Sequence, residues 1–202
     1  MQRFAARAVS SLFAVLLTFA AGALYAECGT QRWGVKTASD ADAKKIRTHA
    51  VDATIEQLSE LQHPAGFKSR SSPRTKVESQ VYVIEATLVT FFSEGDDDRH
   101  LVLTDGTGTM VAEIPDPDCV SANSPLHDEI VGAWQDFNDH FKGKGSKKTV
   151  NETVIVTGVA FFDAKHNVGD AAPNFIELHP VTSIRFAKHG GGVDPILLNA
   201  SN

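Results

Sequence analysis

"SPLHDEIVGAWQDFNDHFKGKG" (124–145) is the clearest helical pattern in the chain, and what flanks it decides the fold. Leu126, Ile130, Ala133 with Trp134, Phe137 and Phe141 recur at helical spacing and make one apolar stripe. Ser124 is placed to cap the N-terminus, and Pro125 suits the first helical position. Asp128 and Glu129 lie at the positive end of the helix dipole, Lys142 and Lys144 at the negative end. Gly143 and Gly145 stop the pattern. The aromatic stripe reads as core packing.

Working outward, three strand patterns come before this helix. "VYVIEATLVTFF" (81–92) is rich in β-branched and aromatic residues. "HLVLTD" (100–105) and "TMVAEI" (109–114) form a hairpin around "GTG" (106–108). "IPDPDC" (114–119) ends the third strand, because proline cannot donate to a sheet ladder. Asp116 and Asp118 there read as turn residues. Two strands follow the helix: "TVIVTGVAFF" (153–162) and "NFIELHPVTSIRF" (174–186). Gly158, in mid-strand, marks a bend or a close backbone approach. Three strands, a helix and two strands predict a mainly β fold, a five-stranded OB-fold-like Greek-key barrel with its helix between strands 3 and 4. This domain spans 81–187, and an open α+β sandwich is the alternative.

Residues 27–80 read as an N-terminal extension and linker. Within it Thr54 and Gln57 form a capping box ahead of Ile55, Leu58 and Leu61. "HPAGFKSRSSPRTK" (63–76) has linker composition. Residues 188–202 are expected to be a flexible tail.

The first 26 residues read as a secretory signal peptide. Arg3 and Arg7 precede the apolar "LFAVLLTFAAGAL" (12–24), and "AGA" and "LYA" offer cleavage sites. The apolar run is shorter than the roughly 20 residues a membrane span needs, so no span is expected in the mature protein. The expected location is periplasmic or extracellular. Removing 1–26 takes away two arginines and no acid, leaving 17 basic against 25 acidic residues, a formal charge of −8. Such a chain is repelled by polyphosphate backbones, so nucleic acid is not an expected partner. Cys28 and Cys119 form an even pair in an exported chain and are expected to be disulfide-bonded. No C-x-x-C points to a redox or zinc centre.

Several polar residues are candidates for a site. The loop "SEGDDDRH" (93–100) gathers Glu94, Asp96, Asp97 and Asp98, which suits calcium or a cationic partner, or simply a solvated hairpin tip. In the last strand, alternation puts Ile176, Leu178, Pro180, Thr182 and Ile184 inside the barrel. Glu177 and His179 then share the outer face, as a solvated ion pair or as neighbours on a common ligand. Asp163 and His166, in the loop before that strand, can converge with them, and His with carboxylates suits zinc-like ions. No signature spacing commits the chain to a metal.

"RWGVKT" (32–37), "MVAEIPDPDC" (110–119), "GVAFFD" (158–163) and "NFIELHPVTSI" (174–184) together resemble a family of bacterial exported proteins of unknown function with an OB-fold-like domain. The resemblance covers most of the mature chain, implies no activity and carries over no catalytic residue. By architecture and signal peptide alone the chain is also similar to periplasmic OB-fold proteins, which implies a binding module for small or cationic ligands. The expected function is therefore an exported binding or interaction module whose partner is a small molecule, a cation or a protein. The alternatives are a metal- or carboxylate-dependent hydrolase of phosphodiesters or cell-wall polymers, and a structural envelope component. Thermonuclease-type barrels pair arginines on the phosphate, whereas Arg99 and Arg185 are the only arginines in this barrel region.

Overall fold

The computed structural model describes residues 28–68, 70–93, 98–142, 148–164 and 169–187. Residues 1–26, expected to be a signal peptide, the expected tail 188–202, and Glu94, Asp96, Asp97 and His166 lie outside them. The chain is mainly β: a six-stranded mixed sheet in a ring-like arrangement, with one main helix. The elements are α1 (Trp33–Lys36), β1 (Arg47–Asp52), α2 (Ile55–Ser59), β2 (Gln80–Ser93), β3 (Arg99–Thr104), β4 (Thr109–Ile114), α3 (His127–Phe141), β5 (Lys148–Phe162) and β6 (Ile176–Phe186). Strand order is β1-β2-β3-β4-β6-β5, and β2 also pairs with β5, which closes five strands on themselves. β1 runs parallel to β2, and β4 parallel to β6; the other pairings are antiparallel.

β2 can serve two neighbours because it is long and kinked. Its pairings with β3 and β5 both shift register between Leu88 and Thr90. A bulge of this kind moves the inward-facing set by one residue. Ile84, Ala86 and Leu88 are buried before it, and Phe91 after it. β6 shifts register against β5 on both sides of Gly158. Strict alternation therefore fails: Ile176, Leu178, Val181 and Ile184 enter the core, and Thr182 stays half-exposed. Gly158 is required where the strands touch, since a Cβ there would sit 2.9 Å from both Leu178 Cβ and the Pro180 carbonyl oxygen.

The predicted stripe of α3 packs as expected, with Ile130, Ala133 and Phe137 buried and Phe137 edge-on to Phe91 at 4.9 Å. Its start differs. The helix begins at His127, and Ser124 does not cap it. Instead Ser124 Oγ donates to the Thr37 carbonyl at 3.0 Å, tying the helix entry to the N-terminal extension.

That extension is more than a polar lead-in. Ile55 and Leu58 are buried in the main core, and Ala38 and Ala43 pack in a second cluster with Ile130 and Val159. The Thr54–Gln57 capping box is present. Asp105 Oδ2 accepts from the Ile55 amide at 2.7 Å, so α2 docks on the β3–β4 turn. Within the expected linker, Arg74 is buried against Asp40 at 2.6 Å. The disulfide Cys28–Cys119 joins the start of the extension to the turn after β4, 91 residues away.

Candidate functional site

β3, β4 and β6 lie side by side, and their registers bring polar residues to one place. His100 and Glu113 are direct cross-strand partners, and His100 Nδ1 bonds Glu113 Oε1 at 2.9 Å. Val111 pairs with Glu177 across the parallel β4–β6 ladder. Two residues further along each strand, on the same face, come Glu113 and His179. Glu113 Oε2 sits 2.7 Å from His179 Nδ1, and Glu177 Oε1 sits 3.2 Å from the same nitrogen. The residue leading into β3, Asp98, comes from the other side: its Oδ2 is 3.6 Å from His179 Nε2, and its Oδ1 accepts from the Asp116 amide at 2.9 Å.

The extension covers this face. α1 places Lys36 Nζ 3.3 Å from Glu113 Oε2 and 5.5 Å from the Phe161 ring. Trp33 stands edge-on to His179 at 6.5 Å, and its indole N–H donates to the Cys119 carbonyl at 3.0 Å. Glu177 and His179 are therefore not on a solvated strand face: His179 is fully buried and Glu177 nearly so. Alternation assigned them correctly to the side opposite the core, but it could not show that α1 lies over that side. Asp98 is likewise fully buried, not part of a solvated tip.

Protonation follows from this crowding. Nδ1 of His179 faces two carboxylates and so carries a hydrogen. Burial and the Lys36 charge both push its imidazolium down, but Glu113 and Glu177 outweigh them and raise it to about 9. Burial, then the Glu113 charge, raises the Glu177 carboxyl to about 7. Burial works against ionised Glu113 too, yet Lys36 and His179 hold it well below the usual range. Burial alone would lower the Lys36 ammonium; the charges of Glu113, Glu177, Asp163 and Asp98 raise it above its ordinary value. Four carboxylates thus act on Lys36, and two of them, Glu113 and Glu177, also act on His179.

Of the sequence candidates, the structure brings together Asp98, Asp163, Glu177 and His179. Lys36, His100 and Glu113 escaped the sequence reading. Glu113 had a signal, an acid inside the otherwise apolar "MVAEI", and buried acids call for a partner. A ligand-capable atom from each of Asp98, Glu113 and His179 lies within 4.8 Å of the other two. Elsewhere, an open cleft of about 340 Å³ is lined by Asp42, Lys45, Arg47, Arg74, Thr75, Lys76 and Ser79. Two of its cations are already paired, Arg74 with Asp40 and Lys45 with Asp42.

No family model and no curated protein matches the chain. Among solved structures, it is similar to a protein assigned as an aspartyl-tRNA synthetase from Leishmania major Friedlin, at 17% identity and TM-score 0.42, over 74% of this chain and 23% of that one. It is also similar to Entamoeba histolytica asparaginyl-tRNA synthetase in complex with asparaginyl-adenylate, at 13% identity and TM-score 0.38, over 77% of this chain and 27% of that one. The chain spans about a quarter of the length of either.

Proposed function

We propose that this chain is an exported binding module on an OB-type barrel, and that its ligand is a cation held between the barrel face and the N-terminal extension. The five strands β2-β3-β4-β6-β5 close on themselves, and along the chain α3 falls between β4 and β5, which supports the OB reading; β1 is an addition. The signal-like N-terminus and the Cys28–Cys119 bond support export. The four stretches that resemble a family of exported proteins meet here, through Trp33 and Lys36, Glu113, Phe161 and Asp163, and Glu177 and His179. That supports treating them as one family site.

The observation that carries the cation reading is the excess of acid: Asp98, Glu113, Asp163 and Glu177 all act on Lys36, and Asp98, Glu113 and Glu177 lie within 3.6 Å of the His179 ring nitrogens. Keeping ionised carboxylates away from water costs several kcal/mol per ion unless opposite charge offsets it. No helix among the described residues is long and apolar enough to cross a membrane. A polymer substrate would have to reach Asp98, Glu113 and Glu177, whose side chains are at most 6% exposed, so the closed geometry favours binding over hydrolysis.

Thermal denaturation of the disulfide-bonded protein tests this. The panel is an alkylamine, a diamine, guanidinium and divalent metal ions, each against sodium chloride at equal ionic strength. At least one cation is expected to raise Tm, in line with the roughly 2.7 kcal/mol that linkage gives at a hundred times Kd. If every cation matches sodium chloride, the reading fails.

A further inference from the structure

We propose that His179 and Asp98, with Glu113 beside them, bind a divalent transition-metal ion of the zinc type. The proposal rests on the cation reading above and names the cation.

The imidazole carries the argument. His179 is fully buried, and its Nδ1–H is held by Glu113 and Glu177. That fixes the ring and directs Nε2 to the opposite side. Nε2 has no hydrogen-bond partner among the described residues. Leaving a buried polar atom unbonded costs about 1–3 kcal/mol, so its presence here needs a cause. The nearest acceptor, Asp98 Oδ2, lies at 3.6 Å, which is long for a hydrogen bond. It is close to the spacing of two donors on one ion, since bonds of about 2.0–2.2 Å in a tetrahedron put the donors roughly 3.4 Å apart. The ion takes the place of any Nε2 proton, which leaves to solvent.

The surroundings match what a metal-bound histidine needs. A ligating imidazole commonly donates its other N–H to a carboxylate, which fixes the ring and raises its basicity. Here Glu113 and Glu177 do so. Lys36 offsets one carboxylate, leaving others to balance a dication. One nitrogen with carboxylate oxygens favours zinc, cobalt and their neighbours over calcium and magnesium, which take oxygen donors. His179 Nε2 and Asp98 Oδ2 supply two protein donors, Glu113 stays behind the imidazole on Nδ1, and water takes the remaining positions.

Equilibrium dialysis of the disulfide-bonded protein against Zn2+, Co2+, Ca2+ and Mg2+, with metal counted per chain, tests the proposal. One zinc or cobalt ion per chain is expected, and neither calcium nor magnesium competes at equal concentration. His179→Gln and Asp98→Asn should each weaken zinc by about 100-fold or more, and Glu177→Gln, which removes only a supporting carboxylate, by about 10–100-fold. Circular dichroism checks that each variant folds. If they do not fold, imidazole 15N NMR of the unmodified protein decides: zinc should move Nε2 of the buried histidine whose Nδ1–H exchanges slowly. Undiminished zinc binding in folded His179→Gln and Asp98→Asn, or zinc shifts confined to exposed histidines such as His49, would overturn it. If zinc does not bind but an amine raises Tm, the metal proposal falls and the cation reading stands. If nothing raises Tm, both fall.

Discussion

Two buried ionic clusters sit a few residues apart in this chain, and they are built differently. In the first, Arg32 meets Glu78 in a two-pronged pair, with both N–H···O distances at 2.7 Å. Its remaining donors reach the carbonyls of Ser72, Pro73 and Phe162. Glu78 in turn accepts from the Thr75 and Phe162 amides. The guanidinium also lies over the Phe67 and Phe161 rings, 4.8 Å from each. One cation faces one anion, and the fork geometry of arginine matches the carboxylate. In the second cluster four carboxylates bear on Lys36, Glu113 and Glu177 among them also on His179, and Nε2 of His179 makes no hydrogen bond among the described residues. The contrast separates a fastener from a site. A buried pair that only holds structure closes its own hydrogen bonds, whereas a cluster with a surplus of one charge and an open donor is suited to take something in.

The largest expected effect tests the fastener. Arg32→Ala strands Glu78 without its partner and should cost about 3–5 kcal/mol in urea denaturation. Replacing both residues together, Arg32→Met with Glu78→Leu, should recover much of that loss, because no lone charge is left behind. If the single change costs under about 1 kcal/mol, Arg32 is no more than an ordinary surface charge and the comparison breaks.

Next comes the tether that carries both Arg32 and Lys36. Replacing Cys28 and Cys119 with serine frees a 91-residue loop and should cost about 2–4 kcal/mol. The sharper readout is local: hydrogen exchange at His179 and Glu177 should accelerate more than in the α3 core, because α1 lifts from β6 first.

A smaller effect separates the two clusters by pH, measured with chelator present. Glu177 and His179 both hold protons more tightly folded than unfolded, at about 7 against 4.5 and about 9 against 6.5. Their contribution is complete below the unfolded values and is lost as pH rises through the folded ones. Glu113 acts in the other direction: held well below 4.5, it stabilises above that pH and loses its effect only in stronger acid. Stability should therefore fall as pH rises from about 5 to 9. Glu177→Gln, a neutral stand-in for the protonated acid, should exceed the unmodified protein by about 1–3 kcal/mol near pH 8 and converge with it near pH 4. Equal stability of the two at alkaline pH would mean that Glu177 is ionised without cost. The smallest effect is a control away from both clusters. Thr54→Ala removes one side of the capping box on α2 and should cost about 1 kcal/mol with no change in the pH profile.

Much of the architecture was written in local patterns. The α3 stripe, the β3–β4 hairpin, the Thr54–Gln57 box and the close approach at Gly158 each depend on neighbours within a few residues, so spacing and residue type were enough to find them. The β6 interior was half legible. Alternation placed Ile176 and Leu178, then failed at Val181, because register shifts on either side of Gly158 reset which residues point inward.

The sequence by itself determined the strand and helix order, the pairing of the only two cysteines, and the side of β6 on which Glu177 and His179 lie. Only the tertiary structure decided that this side is buried. Burial there depends on Trp33 and Lys36, about 140 residues earlier in the chain, being brought over the strand by α1 and the Cys28–Cys119 bond. Lys36, Glu113 and His179 share no local period, so no pattern within one segment could join them. Their meeting is set by the parallel β4–β6 register and the path of the extension, both of which exist only once the ring of strands has closed.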